Sequence, residues 1–170
     1  MNVGILGGRV PAAGGGQCTV DNDSAIFDYT AEDFTDLASV AGSDWGPLVS
    51  GIQFVTAGSY TITQYQINVG TVIAGGSIST SIYTDSAGSI GSLVDAQTTK
   101  VETVSGTGIA TFTLASPYLL TSGTYWIRFS ADVTPFIQIQ YKATENTHRI
   151  SVPDYYDNGA MEVALFGCAE

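Results

Sequence analysis

At 170 residues the chain is long enough for one domain with a sizeable hydrophobic core, and it carries 16 acidic against 5 basic residues for a net charge of −11. So acidic a chain repels polyanions, which argues against nucleic-acid binding and against electrostatic attachment to anionic lipid; no apolar run approaches the roughly 20 residues of a spanning helix, so no membrane insertion is expected. Only 12% of residues are charged, roughly half the usual share, so the surface must be built largely from Ser, Thr, Asn and Gln, as in all-β proteins of secreted or virion type.

Residues 1–17, "MNVGILGGRVPAAGGGQ", show no alternation and hold six glycines and one charge, Arg9. They read as an extended Gly-rich arm, with residues 18–170 as the folded domain. A cleaved signal peptide is not expected, because Arg9 follows the apolar patch instead of preceding it, and Pro and Gly interrupt any apolar core. Val3, Ile5, Leu6 and Val10 are too apolar for a solvated tail. They predict an anchor that orders on assembly against a neighbouring subunit, hinged by Gly14–Gly16.

Next comes "DNDSAIFDYTAED", with five acidic residues in thirteen. Asp21, Asp23 and Glu32 fall at the first, third and twelfth positions of an EF-hand loop, but Ile26 stands where the sharp turn demands Gly. An acidic solvated loop is the better reading; Asp21 and Asp23 remain weak calcium candidates, as do Asp154 and Asp157. The overlapping "TAEDFTDLASVAG" permits either a short helix capped by Thr30 and stopped by Gly42, or an extended segment.

From about residue 50 the pattern turns to period two: Tyr65-Ile67-Val69, Ile78-Thr80-Ile82, Phe112-Leu114, Tyr125-Ile127-Phe129, Ile137-Ile139-Tyr141 and Met161-Val163-Leu165. Turn signals separate them at 74–76, 85–91, 105–108, 121–123 and "YYDNG" at 155–159. Eight to ten strands follow, in an antiparallel β-sandwich with jelly-roll or other Greek-key wiring. In "SYTITQYQINVG" Tyr60 and Ile62 have one parity and Tyr65, Ile67 and Val69 the other, which predicts a bulge near Thr63–Gln64.

Catalytic motifs are lacking. His148 is the sole histidine, and no nucleophile elbow, phosphate loop, zinc-protease helix or dinucleotide fingerprint occurs, so no enzyme activity and no cofactor are expected. Trp45, Tyr155 and Tyr156 stand in turn-like surroundings and are the candidates for stacking on a sugar; core or subunit interface is the plainer role for such rings. Trp126 is out of phase with Tyr125, Ile127 and Phe129 and belongs to the opposite face. Cys18 and Cys168 lie near the two ends; they either bridge, if the ends of the domain meet, or stay free thiols, and a single pair without a secretion signal favours free thiols.

The runs "SISTSIYTDSAGSIGSLV" (77–94) and "ATFTLASPYLLTSGTYWIRFS" (110–130) resemble the β-sandwich modules called choice-of-anchor R. Ile82–Asp85, Gly88–Leu93 and Leu120–Trp126 match best, within a similarity spanning about 50–142; Ile90-Gly91 stands where the family commonly has Pro-Gly. The resemblance implies a non-catalytic module of the kind found in bacterial surface proteins and phage virions. It leads to the expectation of a virion structural protein, such as a capsid decoration, a head or tail fibre piece, or a tail-tip component. Such a protein would sit in the virion among other structural proteins as a homo-oligomer, a trimer by preference. The alternative expectation is a carbohydrate-binding module recognising a host surface glycan.

Overall fold

A computed structural model describes residues 17–28, 36–41, 49–72, 75–131, 137–142, 149–152, 155–158, 160–161 and 163–170. Among them run fourteen strands: β1 (Ser24–Asp28), β2 (Asp36–Ala41), β3 (Val49–Thr56), β4 (Tyr60–Val72), β5 (Gly76–Ser86), β6 (Ser89–Leu93), β7 (Lys100–Val104), β8 (Gly108–Leu120), β9 (Gly123–Ala131), β10 (Ile137–Lys142), β11 (Arg149–Val152), β12 (Tyr155–Asn158), β13 (Ala160–Met161) and β14 (Val163–Ala169). A single 3-10 turn, Ala96–Thr98, lies between β6 and β7. The first sheet runs β1-β14-β4-β10-β13, with β2 on β10 and β8 on β4; the second runs β12-β11-β3-β9-β5-β6, with β7 on β5. All the ladders are antiparallel. The chain is an all-β sandwich of two sheets, and it crosses between them at most connections.

The core follows from alternation. Tyr65, Ile67, Val69, Phe112, Leu114, Val163 and Leu165 of the first sheet meet Ile52, Phe54, Ile78, Ile82, Ile127 and Phe129 of the second. Burying such side chains contributes roughly 1.5–3 kcal/mol each, which is what makes this register the stable one. The parity break in β4 is resolved as expected. Ile62 pairs with Gly167 and Tyr118, and Gln64 with Phe166 and Thr113, so Thr63 is the extra residue and both apolar sets face inward. Opposite it, β8 spends Leu114–Pro117 outside the ladder.

Two expectations need correction. Strands number fourteen among the described residues, more than eight to ten, because several are of five residues or fewer. Between the short helix and the extended segment left open for 30–42, residues 36–41 take the extended one as β2, whose pairing with β10 outweighs the marginal propensity of a short helix. Tyr155–Asn158, read as a turn, forms β12 against β11, in keeping with the strand preference of adjacent tyrosines.

The ends of the domain meet. β1 lies along β14, and Cys18 is joined to Cys168 by a disulfide with Cα atoms 5.8 Å apart, closing a loop with a sequence separation of 150. The preference for free thiols is therefore also corrected: sheet pairing of the two ends brings the sulfurs together, which spacing in sequence does not reveal.

The gap between β6 and β7 along β5 is filled by the 3-10 turn. Val94 N–H donates to the Ile82 carbonyl at 2.9 Å, and Ile82 N–H donates to Thr98 Oγ1 at 3.3 Å. Asp95 caps the turn through Gln97 N–H at 2.8 Å. From the other sheet, the Tyr65 hydroxyl donates to the Thr98 carbonyl at 2.8 Å, so one buried residue ties both layers.

Burial pushes the Tyr65 phenol well above its ordinary range, the bond to Thr98 opposing this only in part. A folded-state value above the unfolded one, for an acid neutral when protonated, gives stability that is complete below pH ~10 and falls as pH rises further, by up to about 1.4 kcal/mol per unit. Tyr65→Phe should cost about 1 kcal/mol at pH 7 and flatten the alkaline fall of the urea midpoint. An unchanged alkaline slope would count against the buried phenol as its source. For the disulfide, a thiol-reactive dye should label neither Cys18 nor Cys168 until reductant is added. The Cys18→Ser/Cys168→Ser double variant should lose about 2–5 kcal/mol in guanidinium unfolding.

Candidate functional site

Around the domain's amino-terminal segment, residues 17–23 are pinned to the first sheet. Asn22 closes a turn, its Oδ1 accepting from Thr19 N–H at 2.7 Å and its Nδ2 donating to the Gln17 carbonyl at 3.2 Å. The Asp23 carboxylate accepts from the Thr63 hydroxyl and from Gln64 Nε2 at 3.3 Å, both at the β4 bulge. Cys18 is buried, its Sγ 3.3 Å from the Thr61 carbonyl oxygen. Three attachments, one of them covalent, thus fix the place from which the arm departs.

That geometry redefines the acidic loop. Asp23 is spent on Thr63 and Gln64, while Asp21 is exposed, and no group of three or more His, Cys, Asp or Glu gathers among the described residues. The arm residues Val3, Ile5, Leu6 and Val10 lie outside the described residues, as do Trp45, His148 and Asp154. Tyr155 stands opposite Val152 and Tyr156 opposite Ser151 on an edge of the second sheet. Nothing in the described structure brings Trp45 together with the two tyrosines.

A polar cluster that sequence reading did not single out occupies the outer side of the second sheet. Gln53, Trp126 and Tyr83 are direct cross-strand neighbours on β3, β9 and β5, one row from the core row Ile52, Ile127 and Ile82. Asp85 Oδ1 accepts from Gln53 Nε2 at 2.6 Å and from Trp126 Nε1 at 2.9 Å, while its Oδ2 accepts from Gly88 N–H at 3.0 Å. Arg128 Nη1 donates to the Tyr83 hydroxyl at 2.7 Å, and its guanidinium carbon lies 5.1 Å from that ring's centroid.

Trp126 is fully buried although it faces away from the core, and the β5–β6 hairpin meets its indole through Asp85. Ala87 and Gly88 have φ of 53° and 81°, the two positive values of a tight hairpin turn. The ladder slips between Tyr83 and Asp85, and Ile90 reaches over the sheet to Gly51, where an added Cβ would stand 3.3 Å from its Cδ1 and 2.7 Å from the Ile127 carbonyl oxygen. Glycine at 51 is what lets β3 lie this close to the Ile127 carbonyl of β9 while Ile90 sits above it. The only sequence signal for this arrangement is the phase of Trp126; the Asp85 partners come from strands 32 and 41 residues away.

A carboxylate engaged by three donors latches the β5–β6 hairpin to β3 and β9. Asp85→Ala would strand the indole N–H and the Gln53 amide, with an expected loss of about 2–3 kcal/mol in the urea unfolding of the full chain. A loss under about 0.5 kcal/mol would show that the latch is dispensable. No helix among the described residues is long and apolar enough to cross a membrane. No family model matches the chain, and no curated protein matches it either.

Proposed function

We propose that the protein is a non-catalytic structural component of a phage virion, a sandwich domain held in its assembly through the N-terminal arm. The observation that carries this reading is the Cys18–Cys168 disulfide beside the Asp23 contacts, which fasten the root of an apolar arm to the first sheet covalently and by hydrogen bonds. Such a root suits a segment that anchors the domain to a neighbour. Disulfides persist on virion and cell surfaces and in secreted proteins, whereas reducing cytosol removes them. The resemblance of 77–94 and 110–130 to choice-of-anchor R modules points the same way, as does a surface so low in charge. The described polar cluster, tied up in its own hydrogen bonds, supports a scaffold over a catalyst.

Deleting residues 2–16 should leave a domain with its disulfide and melting behaviour intact, since Cys18 and Asp23 with their partners remain. Particles assembled with the deletion in place of the full chain should lack the protein when their components are identified by mass spectrometry. Incorporation at the normal level would overturn the anchoring role, and absence of the full chain from particles would overturn the virion assignment.

A further inference from the structure

Sheet edges need protection, because unpaired N–H and C=O groups template pairing with another chain. Among the described residues, β1, β2, β8 and β13 of the first sheet and β6, β7 and β12 of the second have a ladder partner on one side only. Most are guarded. β1 holds Asp28, β2 holds Asp36, β7 holds Lys100 and Glu102, and β12 holds Asp157; β6 and β13 are five and two residues long.

β8 is the exception. It is thirteen residues long and uncharged, within a stretch from Thr103 to Ile127 that has no charged residue at all. Pro117 and the departure of Leu114–Pro117 from the ladder blunt its second half, which leaves Gly108–Thr113 as a regular, unguarded edge. Ile109 is 51% exposed on the solvent face of that stretch, beside the exposed Thr111 and Thr113.

The arm's root lies on the same sheet. Cys168, which holds Cys18, pairs with Thr61, and Thr61 pairs with Leu119 of β8, so the root is two strand spacings, about 10 Å, from that end of β8, and the Gly108–Thr113 edge begins three residues farther along β4, where Gln64 pairs with Thr113. Sixteen residues precede Gln17, enough to span up to about 55 Å when extended. Their apolar run, Val3 to Val10, has one charge, and so suits an uncharged acceptor edge.

We propose that the β8 edge over Gly108–Thr113 accepts the N-terminal arm of a second copy of the chain as an added strand. Main-chain hydrogen bonds would provide the attachment, and with alternate side chains on opposite faces one of the two sets, Val3 and Ile5 or Leu6 and Val10, would lie beside the exposed Ile109. Donation from each copy to the next closes either as a reciprocal pair or as a small ring. This rests on the reading of the arm as an anchor and names what the arm binds.

The test uses full-length chains and light scattering at micromolar concentration. The wild type should assemble. An arm variant, Ile5→Asp/Leu6→Asp, and an edge variant, Thr111→Lys/Thr113→Lys, should each be monomeric, with association weakened at least tenfold. Mixed in equal amounts, they should form a one-to-one complex, since one retains a sound edge and the other a sound arm. An edge variant that assembles like the wild type would refute β8 as the acceptor while leaving the anchor reading intact; an arm variant that does so would refute both. A monomeric wild type, or a mixture that stays monomeric, would also overturn the proposal. Circular dichroism melting checks the edge variant's fold, and Ile109→Glu replaces it if that fold is lost.

Discussion

The registers of β14 and β8 against β4 turn on a single residue, Thr63. β4 is thirteen residues long and must keep apolar side chains inward at Ile62 and again at Tyr65, which a strict two-residue period forbids. Inserting one unpaired residue between them restores the phase, and the consequences spread outward on both flanks. On one side β14 shifts register at Phe166–Gly167, which sets Cys168 opposite Thr61 and so within reach of Cys18. On the other, β8 loses four residues from its ladder and gains the excursion that ends its regular edge. The bulge also supplies the hydroxyl and the amide that hold Asp23.

The second sheet solves a different problem, that of a large aromatic residue on the wrong side. Trp126 cannot join the core without turning Tyr125 and Ile127 outward. Its indole N–H, which must keep a partner once water is removed, is given to Asp85 of the β5–β6 hairpin. The same carboxylate binds the hairpin's own Gly88, so the turn and the indole share one carboxylate. Thr98 plays a comparable part at another boundary, answering β5 with its hydroxyl and β4 with its carbonyl. Its neighbour Thr80 is the opposite case: its buried hydroxyl has no partner among the described residues, on a strand whose core face is otherwise aliphatic.

Much of this was legible in the residue pattern, and the part that was not has a physical cause. Period-two alternation located the long strands and the sandwich, because one buried face per strand is a local signature. The parity conflict in "SYTITQYQINVG" even located the bulge. Tyr155–Asn158 and residues 36–41 were ambiguous because Asp, Asn and Gly suit turns and caps as well as strand ends, and only pairing with β11 and β10 decides between them. The joining of Cys18 to Cys168 and the Asp85 cluster depend on which strands become neighbours, and no local pattern encodes that. The arm residues Val3 to Val10 and Trp45 lie outside the described residues.

The covalent closure also decides how the domain carries force. Tension entering along the N-terminal segment reaches Cys18 and passes through the sulfurs into β14, a strand held on both sides by β1 and β4. With that bond in place, the load reaches the two ladders that flank β14 instead of β1 alone, an edge strand of five residues. The 150-residue separation between the two cysteines is thereby shielded from any stretch applied across the ends of the domain.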